Sequence, residues 1–348
     1  MSSPSGLNIA VVRFSALGDV AMAVPAVRHL QRSFPGATIT WITSPLCYAL
    51  LHGLEGVQFV VCDKPRSFAD YRAFYRLFSA RRFDAVLAMQ ANLRINLLYP
   101  ALHAPRKIGF DRTRAREGQW LFCNQRIPFA DNHLVDSFMA FATTLGAPPT
   151  APDCSLPIST AERERARAQL AGLPRPLIAI HPFASKAERN WPLERLAEVI
   201  RLASKRWQAG FLLTGGNSAA EREGCAQLAG VAPQHTLNLC GQTEPKQLAA
   251  LLGEADVLIA PDTGPVHLAR AMETPVIGLY AVASPGLCGP YAQQQYVVDR
   301  YPQAVRQFLR KDPTQLPWNT RVHHPEAMKL IQVEDVMTQL ERVLQPHA

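Results

Sequence analysis

Short apolar, β-branched runs alternate along this chain with amphipathic stretches. The first run, within NIAVV, predicts a buried strand of a parallel sheet over 9–12. The chain then turns through Ser15, Ala16, Leu17 and Gly18. Residues 21–30 follow with apolar positions at helical spacing, and Arg28 and Arg32 lie on the other face. The same pattern predicts strands over 38–42, 57–61 and 83–89, and helices over 45–54, 70–81, 93–102 and 132–145. In the helix over 70–81, Tyr71, Phe74, Tyr75 and Phe78 recur at i, i+3, i+4 and i+7, so this stripe is predicted to be core. Residues 148–157 are proline-rich without periodicity, as in a linker, and a charged helix over 161–173 closes the first half. Alternation resumes with strands over 177–180, 211–214, 237–239, 256–260 and, as the last, 276–280. Helices are predicted from 193, after the glycines at 215 and 216, over 245–252 and 267–272, and at the end over 333–344. Two βα arrays joined by a linker make an α/β protein whose ligands bind at the carboxyl edges of parallel sheets.

Composition narrows the class. The 348 residues suit two domains, 48% apolar content supports two cores, and no apolar run nears the roughly 20 residues of a membrane span. MSSPSGLN lacks the features of a secretory signal. Seven scattered cysteines, with no CxxC pair and no zinc spacing, read as reduced thiols of the cytoplasm. Net charge is +8, and it is uneven: 19 Lys+Arg against 12 Asp+Glu over 1–174, and 17 against 16 over 175–348. A basic first half attracts a phosphorylated ligand, an anionic membrane surface or nucleic acid, unless it serves solubility alone. The most basic segment, over 106–126, has no aromatic interleaving or heptad to suggest nucleic acid. Neither array carries GxGxxG or a Walker loop, which argues against a nicotinamide enzyme and a P-loop ATPase.

Candidate chemistry gathers where strands end. Asp19 stands at the first strand–helix turn, with Ser15 and Gly18 before it; it is either a working carboxylate or a helix cap. Gln90 and Asn92 follow a buried strand and suit sugar hydroxyls, or satisfy their own loop. Lys107, Arg112, Arg114 and Arg116 crowd a loop with Gly109, fitting a phosphate or carboxylate, or simply a solvated face. In DTGPVHLA, over 262–269, a strand ends and a helix starts. The N–H groups of Thr263, Gly264 and Val266 and the helix dipole suit a pyrophosphate, with His267 on the first turn. Asp262 is either part of that site or its cap. Ser185, Lys186 and Arg189 follow another strand and supply countercharge, while Gly215 and Gly216 with Glu221 suit a close-approach loop for a ribose. No dense acidic cluster suggests magnesium, so metal independence is expected.

Taken together, RFSALGD over 13–19, KIGFDRTRARE over 107–117, DTGPVHLA and SPGLCGPY over 284–291, with NWP over 190–192, resemble the lipopolysaccharide heptosyltransferases of glycosyltransferase family 9. The likeness spans nearly the whole chain and is nearest to members that add the first heptose to Kdo. It implies a glycosyltransferase-B fold: two Rossmann-like domains facing a cleft, inverting and metal-free. An acceptor domain over 1–173, a donor domain over 174–330, and a terminal helix over 331–348 packing back toward the first domain would follow. It also implies ADP-L-glycero-β-D-manno-heptose as donor, with no other cofactor. The acceptor would be Kdo–lipid A or another Kdo-containing core lipopolysaccharide. In this resemblance Asp19 matches the catalytic base. Asp262, Thr263, Gly264, His267, Arg189 and Glu221 match donor contacts, with Ser185 the nearest hydroxyl of the phosphate loop. A cytoplasmic protein visiting the inner face of the inner membrane, without nucleic acid, is expected. Rival readings are a same-fold transferase or epimerase using another sugar nucleotide, and a catalytically silent sugar-nucleotide-binding protein.

Overall fold

In the computed structural model, which describes residues 6–130 and 133–344, the chain divides into two units, Met1–Pro157 and Ile158–Ala348. Unit 1 runs β1 (Asn8–Val12), α1 (Leu17–Ser33), β2 (Thr38–Thr43), α2 (Pro45–Leu51), β3 (Val57–Val61), α3 (Phe68–Phe78), β4 (Ala85–Leu87), α4 (Leu93–Asn96), β5 (Arg106–Gly109), β6 (Gln125–Arg126) and α5 (Leu134–Leu145). Its strands are all parallel, in the order β3-β2-β1-β4-β5-β6. Ile9 is in register with Ile39 on one side and Ala85 on the other, so β1 is central and fully buried after Asn8.

Unit 2 runs α6 (Thr160–Leu170), β7 (Leu177–Ile180), α7 (Leu193–Trp207), β8 (Gly210–Leu213), α8 (Ala219–Ala229), β9 (Thr236–Asn238), α9 (Pro245–Gly253), β10 (Val257–Pro261), α10 (Gly264–Ala271), β11 (Val276–Tyr280), α11 (Pro285–Cys288), β12 (Val298–Asp299), α12 (Tyr301–Ala304) and α13 (Val333–Leu344). The order β12-β11-β10-β7-β8-β9 repeats the winding of unit 1. In each sheet the direction of winding reverses beside the first strand, between β1 and β4 and between β7 and β10. Within each unit, side chains leaving the carboxyl ends of that strand pair gather at a switch point, where ligands of open α/β sheets bind.

Several expectations change. Strands β5, β6 and β12 were not predicted, and 276–280 is not the last strand. β5 lies inside the most basic segment, and β6 and β12 are too short to show a period. The helix expected over 93–102 stops at Asn96, and a 3₁₀ turn, Tyr99–Ala101, follows around Pro100. Asn132, the expected start of the next helix, lies outside the described residues; α5 is capped by the His133 ring, which accepts from Val135 N at 3.1 Å. On α3 only Phe74 and Phe78 are buried, and Tyr75 is left 41% exposed. The proline-rich stretch is tied to unit 1: Arg32 pairs with Asp153 at 3.1 Å and Arg28 donates to Ser155 O.

Two terminal assignments also move. Helix α6 belongs to unit 2, where Glu162 pairs with Lys246 of α9 and Arg167 with Glu254 just after it. Helix α13 buries Val336 and Leu340 in the core of unit 2, and Arg206 and Arg300 pair with its Glu341 and Asp335. Its side chains reach that core because Trp191, of the NWP motif, donates to Ile331 O at 3.1 Å and draws the preceding turn against α7.

Candidate functional site

At the switch point of unit 1, the turn after β1 is held by Gln90, which follows β4. The Gln90 amide oxygen accepts from Phe14 N at 2.7 Å, and its nitrogen reaches the Ser15 hydroxyl at 3.3 Å. Gln90 therefore shapes the turn, and both ends of its amide are engaged. The turn contains a cis peptide between Ser15 and Ala16. Gly18 is buried in the first turn of α1, while Asp19 stays 30% exposed. Its Oδ2 accepts from Ala16 N at 3.0 Å and pairs with Arg13 at 2.5 Å; Oδ1 receives neither contact. Capping and availability thus coexist, each on its own oxygen. Arg13 is fixed by the Met89 carbonyl and lies over the Phe138 ring, 5.3 Å from its centroid.

Lys64, which the sequence did not single out, donates to the Ser15 hydroxyl. Burial pulls its pKa down, and the nearby Asp19 carboxylate opposes that. Arg94 on α4 lies within electrostatic reach of Lys64. Nothing in DKPR, over 63–66, marks Lys64 as a site residue. It arrives because β3 delivers the chain to the same sheet edge as β1.

The predicted acceptor contacts separate. Asn92 caps α4, accepting from Ile95 N at 3.1 Å. Lys107 donates to Tyr99 O at 2.9 Å, and burial lowers its pKa. Arg114 is buried against Asp111, Ser137 and Pro128 O, so its guanidinium braces the loop and has no face left for an acceptor. Arg112 and Arg116 are exposed. Gly109 makes room for Cys123, whose sulfur would sit 2.8 Å from an added Cβ, rather than for a ligand.

At the switch point of unit 2, β10 is followed by Asp262, which lies between Arg189 at 3.2 Å and Arg321 at 3.4 Å. Asp262 therefore orders two arginines and is not shown capping α10. Thr263 is the N-cap residue in extended conformation and its side chain makes no capping bond, while His267 is buried on the first turn. Arg321 was missed because it lies on a motif-free stretch. Val322 N donates to Val282 O at 2.9 Å and carries it past the end of β11. Burial, with the Asp262 carboxylate second, pushes the Cys288 thiol up, so α11 also lies against this site. After β7, Ser185 and Lys186 are exposed on their loop. His181 is buried, its Nδ1 2.9 Å from the Thr214 hydroxyl, and burial pushes its pKa down to about 4.

The glycines after β8 are filled by the protein itself. A Cβ on Gly215 would lie 2.6 Å from the Cys240 sulfur, and one on Gly216 2.3 Å from Glu221 Oε2. Gly216 thus lets the Glu221 carboxylate lie against the backbone beside the β8 edge. Among the described residues no group of three His, Cys, Asp or Glu is placed to hold a metal ion, and no helix is long and apolar enough to cross a membrane.

A family model described as glycosyltransferase family 9 (heptosyltransferase) matches residues 71–316. The lipopolysaccharide core heptosyltransferase OpsX of Haemophilus influenzae is 34% identical over 338 residues, 97% of this chain and 96% of that protein. Among solved structures, the glycosyl transferase family 9 protein of Veillonella parvula superposes with a TM-score of 0.80 at 21% identity, covering 97% of each chain. The E. coli heptosyltransferase WaaC, solved with ADP, gives 0.72 at 23% identity over 97% of this chain and all of that one. The two Rossmann-like units are those of the glycosyltransferase-B fold. With its family match and its identity to OpsX running along nearly the whole chain, this protein belongs to glycosyltransferase family 9, the heptosyltransferases.

Proposed function

We propose that the protein transfers L-glycero-D-manno-heptose from its ADP-activated form to the Kdo of Kdo–lipid A, with inversion and without a metal. The observation that carries this reading is the division of chemistry between the two switch points. Unit 1 presents a carboxylate at the end of β1, and unit 2 presents cations and a helix start at the ends of β7 and β10. The OpsX likeness supports heptose transfer in lipopolysaccharide synthesis.

In this mechanism Asp19 accepts the proton of the acceptor hydroxyl as that oxygen bonds to the anomeric carbon. The bond from that carbon to the diphosphate breaks, and ADP leaves with the electron pair. Lys186, Arg189, His267 and the N–H groups at the start of α10 stabilise the leaving charge, while Glu221 holds the ribose. Asp262 and Arg321 position Arg189. Lys64, Arg94, Arg112 and Arg116 attract the anionic acceptor, which brings the protein to the cytoplasmic face of the inner membrane. The domain assignment becomes acceptor binding by unit 1 and donor binding by unit 2.

The test is ADP release from ADP-heptose with a panel of truncated lipopolysaccharides, in the presence and absence of a chelator. Asp19→Ala is expected to lower kcat at least about 10²-fold while ADP still binds. Undiminished turnover in that variant would remove Asp19 from the role, and release of UDP from a UDP-sugar instead would favour the rival transferase or epimerase.

A further inference from the structure

Phe68, Tyr71, Arg72 and Tyr75 occupy positions i, i+3, i+4 and i+7 of α3 and share one face of it. This face is distinct from the one that buries Phe74 and Phe78: Phe68 is 83% exposed and Tyr75 41%. The two tyrosine hydroxyls donate to the carbonyls of Arg94 and Leu97 at 3.0 Å, which fixes the rings. With Leu97 the face walls a groove of about 650 Å³. A second groove of about 740 Å³ shares Arg66, Tyr71 and Leu97 with it and extends to Leu93, itself 53% exposed, and Arg94.

Cations ring this apolar floor. Residues 64–82 hold six Lys and Arg against one Asp. That Asp70 is turned onto the N–H groups of Arg66 and Ser67, at 2.7 and 2.8 Å. The Glu117 carboxylate, in the second groove, accepts from Leu93 N at 2.6 Å. Both acids are thus drawn toward backbone; Arg66 interacts electrostatically with Asp70, and among the described residues Arg72 and Arg94 join no ion pair. Exposed aromatic and aliphatic groups bordered by guanidinium groups in excess of carboxylates complement one chemistry: hydrocarbon topped by anionic phosphate.

We infer that the α3 face is the surface by which the protein docks on an anionic phospholipid bilayer. Phe68 enters the acyl boundary while Arg66 and Arg72 meet lipid phosphates. The inference rests on the reading in which the acceptor is a membrane lipid.

The test is flotation of the full-length protein with vesicles of phosphatidylcholine, with and without phosphatidylglycerol. The protein is expected to float with the anionic vesicles and to detach as salt rises. Phe68→Ser and Arg72→Gln should each weaken that partition about fivefold or more, with the thermal midpoint unchanged. Failure of the wild-type protein to bind, or equal binding by both variants, would overturn the inference. So would loss of a dimer in Phe68→Ser, which would make the face a contact between copies. A raised KM for an acylated acceptor in detergent, with vesicle binding unchanged, would instead place the acceptor's chains in the groove and overturn it too. Turnover on an acceptor stripped of its acyl chains is read in the same preparation. Its absence would count against the transfer reading and leave the vesicle result to stand or fall alone.

Discussion

Arg112 and Arg114 stand two positions apart in one basic loop, and packing gives them opposite lives. Arg114 lies in a network with Asp111, Ser137 and Pro128 O, whereas Arg112 is exposed. Arg114→Ala would leave Asp111 buried without its partner and should cost about 3–5 kcal/mol in urea unfolding. Arg112→Gln should stay within about 0.5 kcal/mol of the parent in the same measurement. Charge density was legible from the sequence, but not which charges are buried, because Ser137 sits on α5, outside the loop. The glycines teach a similar lesson. Gly215 and Gly216 were read as a close-approach loop for a ribose, and the structure shows that Cys240 and Glu221 come close to them. Asp19 was legible as a cap or as a working carboxylate, and the structure shows the cap, made by Oδ2 alone.

Strand ends place these residues, and His181 shows what burial at such an end does to stability. Its pKa falls from 6.5 to about 4 because the folded protein removes it from water. Below pH 6.5 the unfolded chain takes up the proton first, so this contribution is complete above 6.5 and lost progressively down to about 4. His181→Asn keeps a polar partner for Thr214 and removes the titration. Urea unfolding across that range should show the parent losing about 3 kcal/mol more than the variant. Equal slopes would mean that the buried ring does not govern acid stability. Elements were legible in proportion to their length and amphipathicity. Helices such as α7 and strands such as β1 announce themselves, whereas β6 and β12, of two residues each, are made by their neighbours.

At the scale of the whole molecule, the boundary at Pro157 predicts how the chain can be cut. A fragment of residues 158–348 should unfold cooperatively and bind ADP in calorimetry. One of residues 174–348 loses α6 with its pairs to α9 and should melt at a lower temperature. If the shorter fragment is equally stable, α6 contributes nothing to unit 2. The linker was visible as a proline-rich stretch, whereas the contacts of the helices beside it and at the chain's end, α6 with α9 and α13 with the core of unit 2, were not. A helical period tells which side of a helix is apolar and is silent about which sheet receives it. By itself the sequence determined the alternation of strands and helices, the family motifs and their place at strand ends, because each is written in residues adjacent in the chain. Only the tertiary structure decided that Lys64 reaches Ser15, that Arg321 reaches Asp262, that Arg114 is a brace, and that α13 closes unit 2. Those outcomes depend on contacts between positions far apart in sequence, and no local pattern encodes them.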